Sequence, residues 1–214
     1  MDISKTNTQW FEAFETHLMG DDKPSAYFNA LLHKGTFPKH HPFDRLSVLK
    51  DVPQSPVHHP EGDVWNHTMH VVDIAAGKRH ESRDARVFMW AALLHDLGKE
   101  PTTRRRRGRI TAYDHDKAGA KLARKFLDAC GCEPAFTDAV VALVRWHMQV
   151  LFVVKDLPFA DLPAMMRDVT PDEIALLALC DRMGRGELPR EKVELEHGHI
   201  AAFLERCEGH MAPR

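Results

Sequence analysis

Histidine and aspartate residues interrupt the apolar stripes of several predicted helices in this chain. A helix presents one face at positions i, i+3, i+4 and i+7, and residues on that face share one environment. Four segments follow this spacing with apolar residues, and the four stripes include His67, His95, His147 and Asp181, respectively. No segment shows sustained strand alternation between hairpin turns, so the pattern predicts an all-α fold.

The 214 residues suit one domain with a short extension. The best internal boundary is the loop at residues 53–63, which holds three prolines and one glycine. We therefore divide the chain into a short helical N-terminal arm, residues 1–53, and a main helical body, residues 54–214. Helices are predicted at residues 7–19, 25–33, 43–49, 64–78, 85–97, 117–129, 134–148, 160–167, 171–183 and 190–208.

Charge and composition exclude several classes of protein. The formal net charge is −2, so the chain is not a polycation that coats nucleic acid, and any attraction to phosphate must be local. The four cysteines form no CxxC pair and the N-terminus does not resemble a signal peptide, which together favour a cytoplasmic protein. The longest apolar run, residues 87–94, is too short to cross a bilayer, so we expect no membrane partner.

Inward-facing carboxylates indicate a bound cation, because a buried carboxylate without a partner costs much free energy. Asp96 and Asp181 lie on or beside stripes that also hold histidines. The alternative is a set of buried His–Asp hydrogen bonds, or polar residues at the exposed edge of the stripes. His95 and Asp96 point about 100° apart in a helix, so both reach one ion only near a helix end, which Gly98 predicts. We expect a divalent cofactor: Mn, Fe, Ni, Co, Mg or Zn.

Several separated motifs carry a resemblance to one family. The chain contains the stretches VPQSPVHHPEGDVWNHTMHV, AALLHDLGKEPTT, GRITAYDHDKAGAKLA and CDRMGRG. They are similar to the HD domain of bacterial tRNA nucleotidyltransferases, the CCA-adding enzymes, within the HD superfamily of metal-dependent phosphohydrolases. The resemblance covers residues 24–186 and implies an HD-domain helical bundle. That family carries a nucleotidyltransferase domain before this region, and residues 1–23 hold no such element, so we expect no nucleotide addition by this chain.

The resemblance also implies roles for individual residues. The implied metal ligands are His67, His95, Asp96 and Asp181. His115 and His147 would hold a second metal or contact the substrate, the alternative being plain hydrogen bonding. Three residues are candidates for catalysis: Asp96 as ligand and orienter of water, His115 as proton donor to the leaving group, and Lys99 as a contact to a phosphate oxygen.

The segment from Arg104 to Arg109 is the one strongly basic stretch of the sequence, with Gly108 as its only interruption. Such a cluster is commonly a solvated loop that repels itself. It also connects the HD motif to His115, so the alternative is a loop over the site that holds phosphate or RNA by bidentate arginine contacts. The candidate substrate-binding residues are Lys99, Arg104, Arg107, Arg109, His147, Arg182 and Arg185. His58 and His59 line the entrance or have no role.

These observations predict a metal-dependent phosphohydrolase that acts as a phosphodiesterase, nucleotidase or phosphatase. The resemblance implies phosphate esters as substrates: 2′,3′-cyclic nucleotides, nucleotides or RNA ends. The alternative is a slow or catalytically inactive HD-type module that binds nucleotide or RNA for regulation.

Overall fold

Helices account for most of the structure, a computed structural model that describes residues 5–106 and 108–211. The helices, in chain order, are α1 Asn7–Gly20, α2 Ser25–His33, α3 Asp44–Ser47, α4 Val64–Lys78, α5 Ala85–Leu94, α6 Lys99–Thr102, α7 His115–Ala129, α8 Pro134–Trp146, α9 Gln149–Val154, α10 Leu162–Asp168, α11 Pro171–Met183 and α12 Arg190–Met211. Short 3₁₀ turns occupy Val48–Asp51 and Arg79–Glu81. The predicted all-α class is confirmed. Arg107, a predicted substrate contact, lies outside the described residues.

Helix ends differ from the sequence prediction where the functional residues lie. Helix α5 ends at Leu94, so His95 and Asp96 occupy the turn that follows it. Helix α7 begins two residues early, at His115, because Asp114 adopts a left-handed conformation with φ 57° and turns the chain. Helix α8 ends just before His147. Four site residues therefore sit at three helix ends, where neighbouring side chains can converge on one point.

The prediction that the chain forms no strands is wrong at the arginine-rich segment. Strands β1 Thr103–Arg106 and β2 Arg109–Ala112 form an antiparallel hairpin. Gly108 supplies the turn with φ 76°, a conformation that residues with side chains rarely adopt. Each strand has only four residues, and Ile110 is the one large apolar residue among them. A segment this short and polar gives no detectable alternation.

The core is centred on α5, whose residues from Val87 to Leu94 are all buried. The N-terminal arm packs into the same core, since the Phe11 ring stacks on Trp90 with centroids 4.2 Å apart. Polar contacts support this packing, because the Asn7 amide donates to the Ala129 carbonyl at 3.0 Å. The division at residue 53 stays a prediction about domains.

One helical stretch, Pro134–Val154, is apolar and long enough to cross a membrane by length and composition alone. The sequence prediction considered only uninterrupted apolar runs, which this stretch is not. Half of its most apolar window is buried inside the bundle, and α8 contributes Val140, Leu143 and Val144 to the core. A core helix satisfies the same criterion, so the absence of a membrane partner stays a prediction.

Candidate metal centre

Five elements bring the predicted ligands to one buried point. His67 lies in the first half of α4, and Asp181 lies near the end of α11. His95 and Asp96 follow α5 directly, His115 opens α7 and His147 follows α8. All six side chains are buried. The structure thus brings together both the predicted ligand set and the two histidines proposed for a second ion.

Asp96 occupies the middle of this cluster. Its Oδ2 lies 3.3 Å from His95 Nε2 and 3.7 Å from His67 Nε2. Its Oδ1 lies 3.6 Å from His115 Nε2 and 4.0 Å from His147 Nε2. Each carboxylate oxygen therefore faces a different pair of imidazoles. Two groups of three potential ligands share Asp96, with ligand atoms within 4.8 Å of one another in each group.

Three of the imidazoles are anchored in the same way. The Nδ1 atoms of His95, His115 and His147 each contact a main-chain carbonyl oxygen three residues earlier. The acceptors are Ala92 at 2.8 Å, Ala112 at 2.7 Å and Val144 at 2.7 Å. A carbonyl oxygen only accepts, so each Nδ1 carries the proton and donates it. A histidine ring with its proton on Nδ1 can bind a metal through Nε2, the nitrogen that here faces Asp96.

The contact between His115 and His147 indicates that a cation belongs here. Their Nε2 atoms are 3.2 Å apart, and two lone pairs at that distance repel each other. Burial lowers the pKa of both rings, to about 3 for His147, so neither carries a second proton at neutral pH. His95 Nε2 has no hydrogen-bond partner within residues 5–106 and 108–211. A divalent ion would satisfy these nitrogen atoms, so the residues fit such a group.

Asp181 reaches the cluster through His67. Its Oδ1 lies 2.9 Å from His67 Nε2, the nitrogen that also faces Asp96. Burial would raise the pKa of both Asp96 and Asp181, but neighbouring cations and imidazoles lower both values below the usual range. Both groups are therefore carboxylates at neutral pH. Their charge gives the centre the negative potential that a divalent ion requires.

Three predicted substrate-binding cations border the same centre. Lys99 Nζ lies 2.7 Å from Asp96 Oδ2 and donates to Gln54 Oε1 at 2.6 Å. The Nη2 atom of Arg185 lies 3.8 Å from Asp181 Oδ2. The Nη1 atom of Arg182 lies 3.5 Å from Glu196 Oε1. These cations balance the carboxylates and leave donors near the position of a bound anion.

A cleft of about 570 Å³ opens over the cluster. Asp96, Asp181, His115 and His147 form part of its lining, together with Lys99, Arg182 and Arg185. His58 and His59 also line it, as the entrance alternative predicted. Its lining also includes Met148, Leu151, Lys155, Leu195, Glu196 and His199. The last three residues come from α12, to which the sequence analysis gave no role.

The hairpin borders the cleft, and its described arginines are exposed and divided between the two strand faces. Residues directly opposite each other in an antiparallel pair share a face, and alternate residues share it too. Arg105 pairs with Ile110 and shares a strand face with Thr103, Ile110 and Ala112, three of the four hairpin residues that line the cleft. The predicted substrate contacts Arg104 and Arg109 share the other face with Arg106 and with Thr111, the fourth lining residue. None of these four arginines lines the cleft itself.

Sequence reasoning missed Glu61, whose carboxylate lies behind His67. Its side chain is only 1 % exposed, and Oε1 lies 2.9 Å from His67 Nδ1. The residue lies in the proline-rich loop, where no helical stripe marks an inward direction. The one available signal was a carboxylate close in sequence to a predicted histidine ligand.

Comparison with known families identifies the fold. The sequence profile of the HD domain family matches residues 64–185, more than half of the chain. The chain belongs to the HD domain family. HD domains bind divalent metals and are generally metal-dependent phosphohydrolases, and the His/Asp cluster of this HD domain lies within the matched range.

The relatives of this HD domain agree with the resemblance found in the motifs. It is 33 % identical over 171 residues to a multifunctional CCA protein of Halorhodospira halophila, covering 77 % of this chain and 39 % of that protein. It is 35 % identical over 154 residues to a multifunctional CCA protein of Azoarcus sp., covering 66 % of this chain and 34 % of that protein. The chain thus spans little more than a third of the length of these relatives.

Proposed function

We propose that this HD domain hydrolyses phosphate esters in a metal-dependent reaction, with 2′,3′-cyclic nucleotides, nucleotides and RNA ends as its substrate classes. One observation carries the proposal: Asp96 has imidazole nitrogens facing both of its oxygens, at the base of an open cleft. A site that holds metal only for structure is closed by protein ligands, whereas a catalytic site opens to solvent and substrate.

We assign the first ion to His67, His95, Asp96 and Asp181. We assign a second ion to His115 and His147, with Asp96 shared between the two. The candidate ions are Mn, Fe, Ni, Co, Mg and Zn. A divalent ion bound there would make water available as a nucleophile near neutral pH and would polarise a phosphoryl oxygen.

The chain's own residues would then position the reactants. Asp96 would orient the attacking water by accepting a hydrogen bond from it through a carboxylate oxygen. Lys99 and Arg185 border the carboxylates and can donate hydrogen bonds to phosphate oxygens. His115 is a poor proton donor, because its Nδ1–H is held by a carbonyl and burial lowers its pKa. The geometry supports the ligand role for His115 over the role of general acid.

The size and lining of the cleft support a substrate larger than a simple phosphate. Its volume of about 570 Å³ lies within the usual range for small-molecule sites, about 300–1,000 Å³. The lining combines apolar Met148, Leu151 and Leu195 with the polar pair Glu196 and His199. Apolar surface and fixed polar groups of this kind suit the base and ribose of a nucleotide.

A substrate screen tests this proposal. The protein would be incubated with 2′,3′-cyclic nucleotides, 2′-nucleotides and a simple aryl phosphate, each with Mn, Ni, Co, Mg or Fe. We expect release of phosphate or opening of the cyclic ester, and loss of this activity with a chelator and in His95→Ala. Activity that survives both treatments belongs to another site or a contaminant. Metal binding without turnover on any substrate would favour the regulatory binding module.

The hairpin gives a second prediction, which separates its two faces. Arg105→Ser should raise KM for a nucleotide several-fold, because Arg105 shares a strand face with Thr103, Ile110 and Ala112, which line the cleft. The triple change of Arg104, Arg106 and Arg109 to serine should raise KM for a single-stranded RNA and leave KM for a mononucleotide unchanged. It should also flatten the dependence of log KM on log salt by about 0.7 per lost phosphate contact.

The matched control is Arg124→Ser, which removes an exposed arginine paired with Asp138 on the distant α7–α8 surface. It should change neither KM nor the salt dependence. If the triple variant matches the wild type with every RNA tested, the outer arginines are a solvated surface without a substrate role.

A further inference from the structure

Glu61 is a buried carboxylate that the proposed reaction does not use. Its Oε1 lies 2.8 Å from His59 Nδ1 and 2.9 Å from His67 Nδ1. Its side chain is only 1 % exposed, so the carboxyl group lies inside the protein. Burying it is costly, so its partners must offset a substantial desolvation penalty.

The loop that carries Glu61 is held firmly. Pro53 and Asp63 form an isolated β-bridge across its base, and the Val64 amide donates to the Val52 carbonyl at 3.1 Å. The Asp63 side chain caps α4 by accepting from the Asn66 amide at 2.8 Å. This loop therefore fixes Glu61 relative to the helix that carries His67.

Each ring nitrogen of His67 lies beside a different set of carboxylates. Its Nε2 faces Asp181 at 2.9 Å and Asp96 at 3.7 Å, on the side of the centre. Its Nδ1 lies 2.9 Å from Glu61 Oε1 on the opposite side, a close contact that is not aligned as a hydrogen bond in this ring orientation. A histidine can ligate a cation through Nε2 only when the remaining proton is on Nδ1. A carboxylate beside Nδ1 favours that form and fixes the ring plane.

A separate cation held by His59, Glu61 and His67 is the alternative, because their ligand atoms lie within 4.8 Å of one another. A ring that bound this cation through Nδ1 would keep its proton on Nε2, and His67 could then not ligate the ion of the centre. His59 Nδ1 forms a hydrogen bond with Glu61 Oε1 at 2.8 Å without any ion. Direct imidazole–carboxylate contacts therefore account for this group and leave His67 available to the centre.

We propose that Glu61 is a positioning residue that holds His67 with Nδ1 protonated and Nε2 directed at the metal, and holds the neighbouring His59 at the wall of the cleft. The proposal rests on the metal assignment made under the proposed function, but not on turnover. Glu61 precedes the range matched by the family profile, residues 64–185. The role is therefore assigned from the contacts in this chain.

The test measures metal affinity rather than activity. The full chain, freed of metal, would be titrated calorimetrically with Mn²⁺ and Ni²⁺. Glu61→Ala should weaken binding by about 10- to 100-fold, the usual effect of losing a carboxylate behind a histidine ligand. Glu61→Gln keeps an acceptor oxygen and should restore affinity to within a few-fold of wild type. His59→Ala should leave affinity unchanged, and the stoichiometry should be the same in all three variants.

Two results would overturn the proposal. Unchanged affinity in Glu61→Ala would show that the contact does not orient His67. Loss of one metal equivalent in both Glu61→Ala and His59→Ala would show that these residues are ligands of their own ion. Glu61→Met, which has similar length and no acceptor, replaces the alanine variant if that variant does not fold. A wild type that binds metal without hydrolysing any ester contradicts the proposed function alone and leaves this comparison valid.

Discussion

Replacing Asp96 with alanine is expected to remove the bound metal and to lower hydrolytic activity by about 10³-fold or more. Asp96 is the one side chain that faces both imidazole pairs, so its loss weakens every ion that the cluster holds. The loss of about 4 kcal/mol of charge stabilisation corresponds to about 10³-fold in rate. Metal content by elemental analysis and kcat/KM on the best substrate of the screen measure the two effects.

The variant should remain folded. Alanine leaves the Lys99 ammonium without the carboxylate beside it, but Lys99 lines the open cleft and keeps its contact with Gln54 Oε1. Circular dichroism and a thermal melt of the metal-free protein verify this. Asp138→Ala is the matched control, because it removes an exposed carboxylate paired with Arg124 and should change neither metal content nor rate. Full metal retention in purified Asp96→Ala would contradict the assignment of the centre.

The parts of the site that lie on helical stripes could be predicted from the sequence. His67, His147 and Asp181 follow the apolar spacing of their helices, and a polar residue on such a face must be buried with a partner. Gly98 indicated a helix end close to His95 and Asp96, and the structure ends α5 at Leu94. Local periodicity and the cost of burying charge were sufficient for these residues.

The remaining parts of the site depend on contacts between distant segments. Glu61 lies in a loop, and only the packing of that loop behind α4 turns its carboxylate inward. The cleft lining joins residues of α12, which lies beyond the matched HD domain, to residues such as Met148, more than forty positions earlier in the chain. The two faces of the hairpin follow from a strand register that the arginine-rich sequence does not reveal. Periodicity carries no information about such pairings.

Replacing Gly98 with alanine is expected to cause a large loss in the free energy of unfolding, although it adds only one methyl group. A Cβ atom at this position would lie 1.9 Å from the His115 carbonyl oxygen and 2.5 Å from the Gly119 amide nitrogen. Both obstacles are backbone atoms of α7, so no side chain can rotate away. The φ of Gly98 is −69°, which any residue adopts, so the requirement for glycine here is one of space.

This close approach places His115 beside Asp96. Relieving the collision would move the first turn of α7 away from the HD turn and lengthen the 3.6 Å separation of the two side chains. Overpacking of a tight core costs about 1–3 kcal/mol and occasionally more. Because the obstacles are backbone, we expect a loss of about 3 kcal/mol or more in the free energy of unfolding, measured by urea denaturation of the metal-free protein. Metal affinity should fall as well.

Gly77→Ala is the matched control, because Gly77 lies in α4 and a Cβ there meets no atom within 4 Å. Alanine in place of an exposed helical glycine should stabilise the protein by about 0.5–1 kcal/mol. The two changes add the same methyl group. Changes of opposite sign in the free energy of unfolding would therefore attribute the loss in Gly98→Ala to the contact between the HD turn and α7. A Gly98→Ala variant with the urea midpoint and metal affinity of the wild type would show that this contact does not hold the centre together.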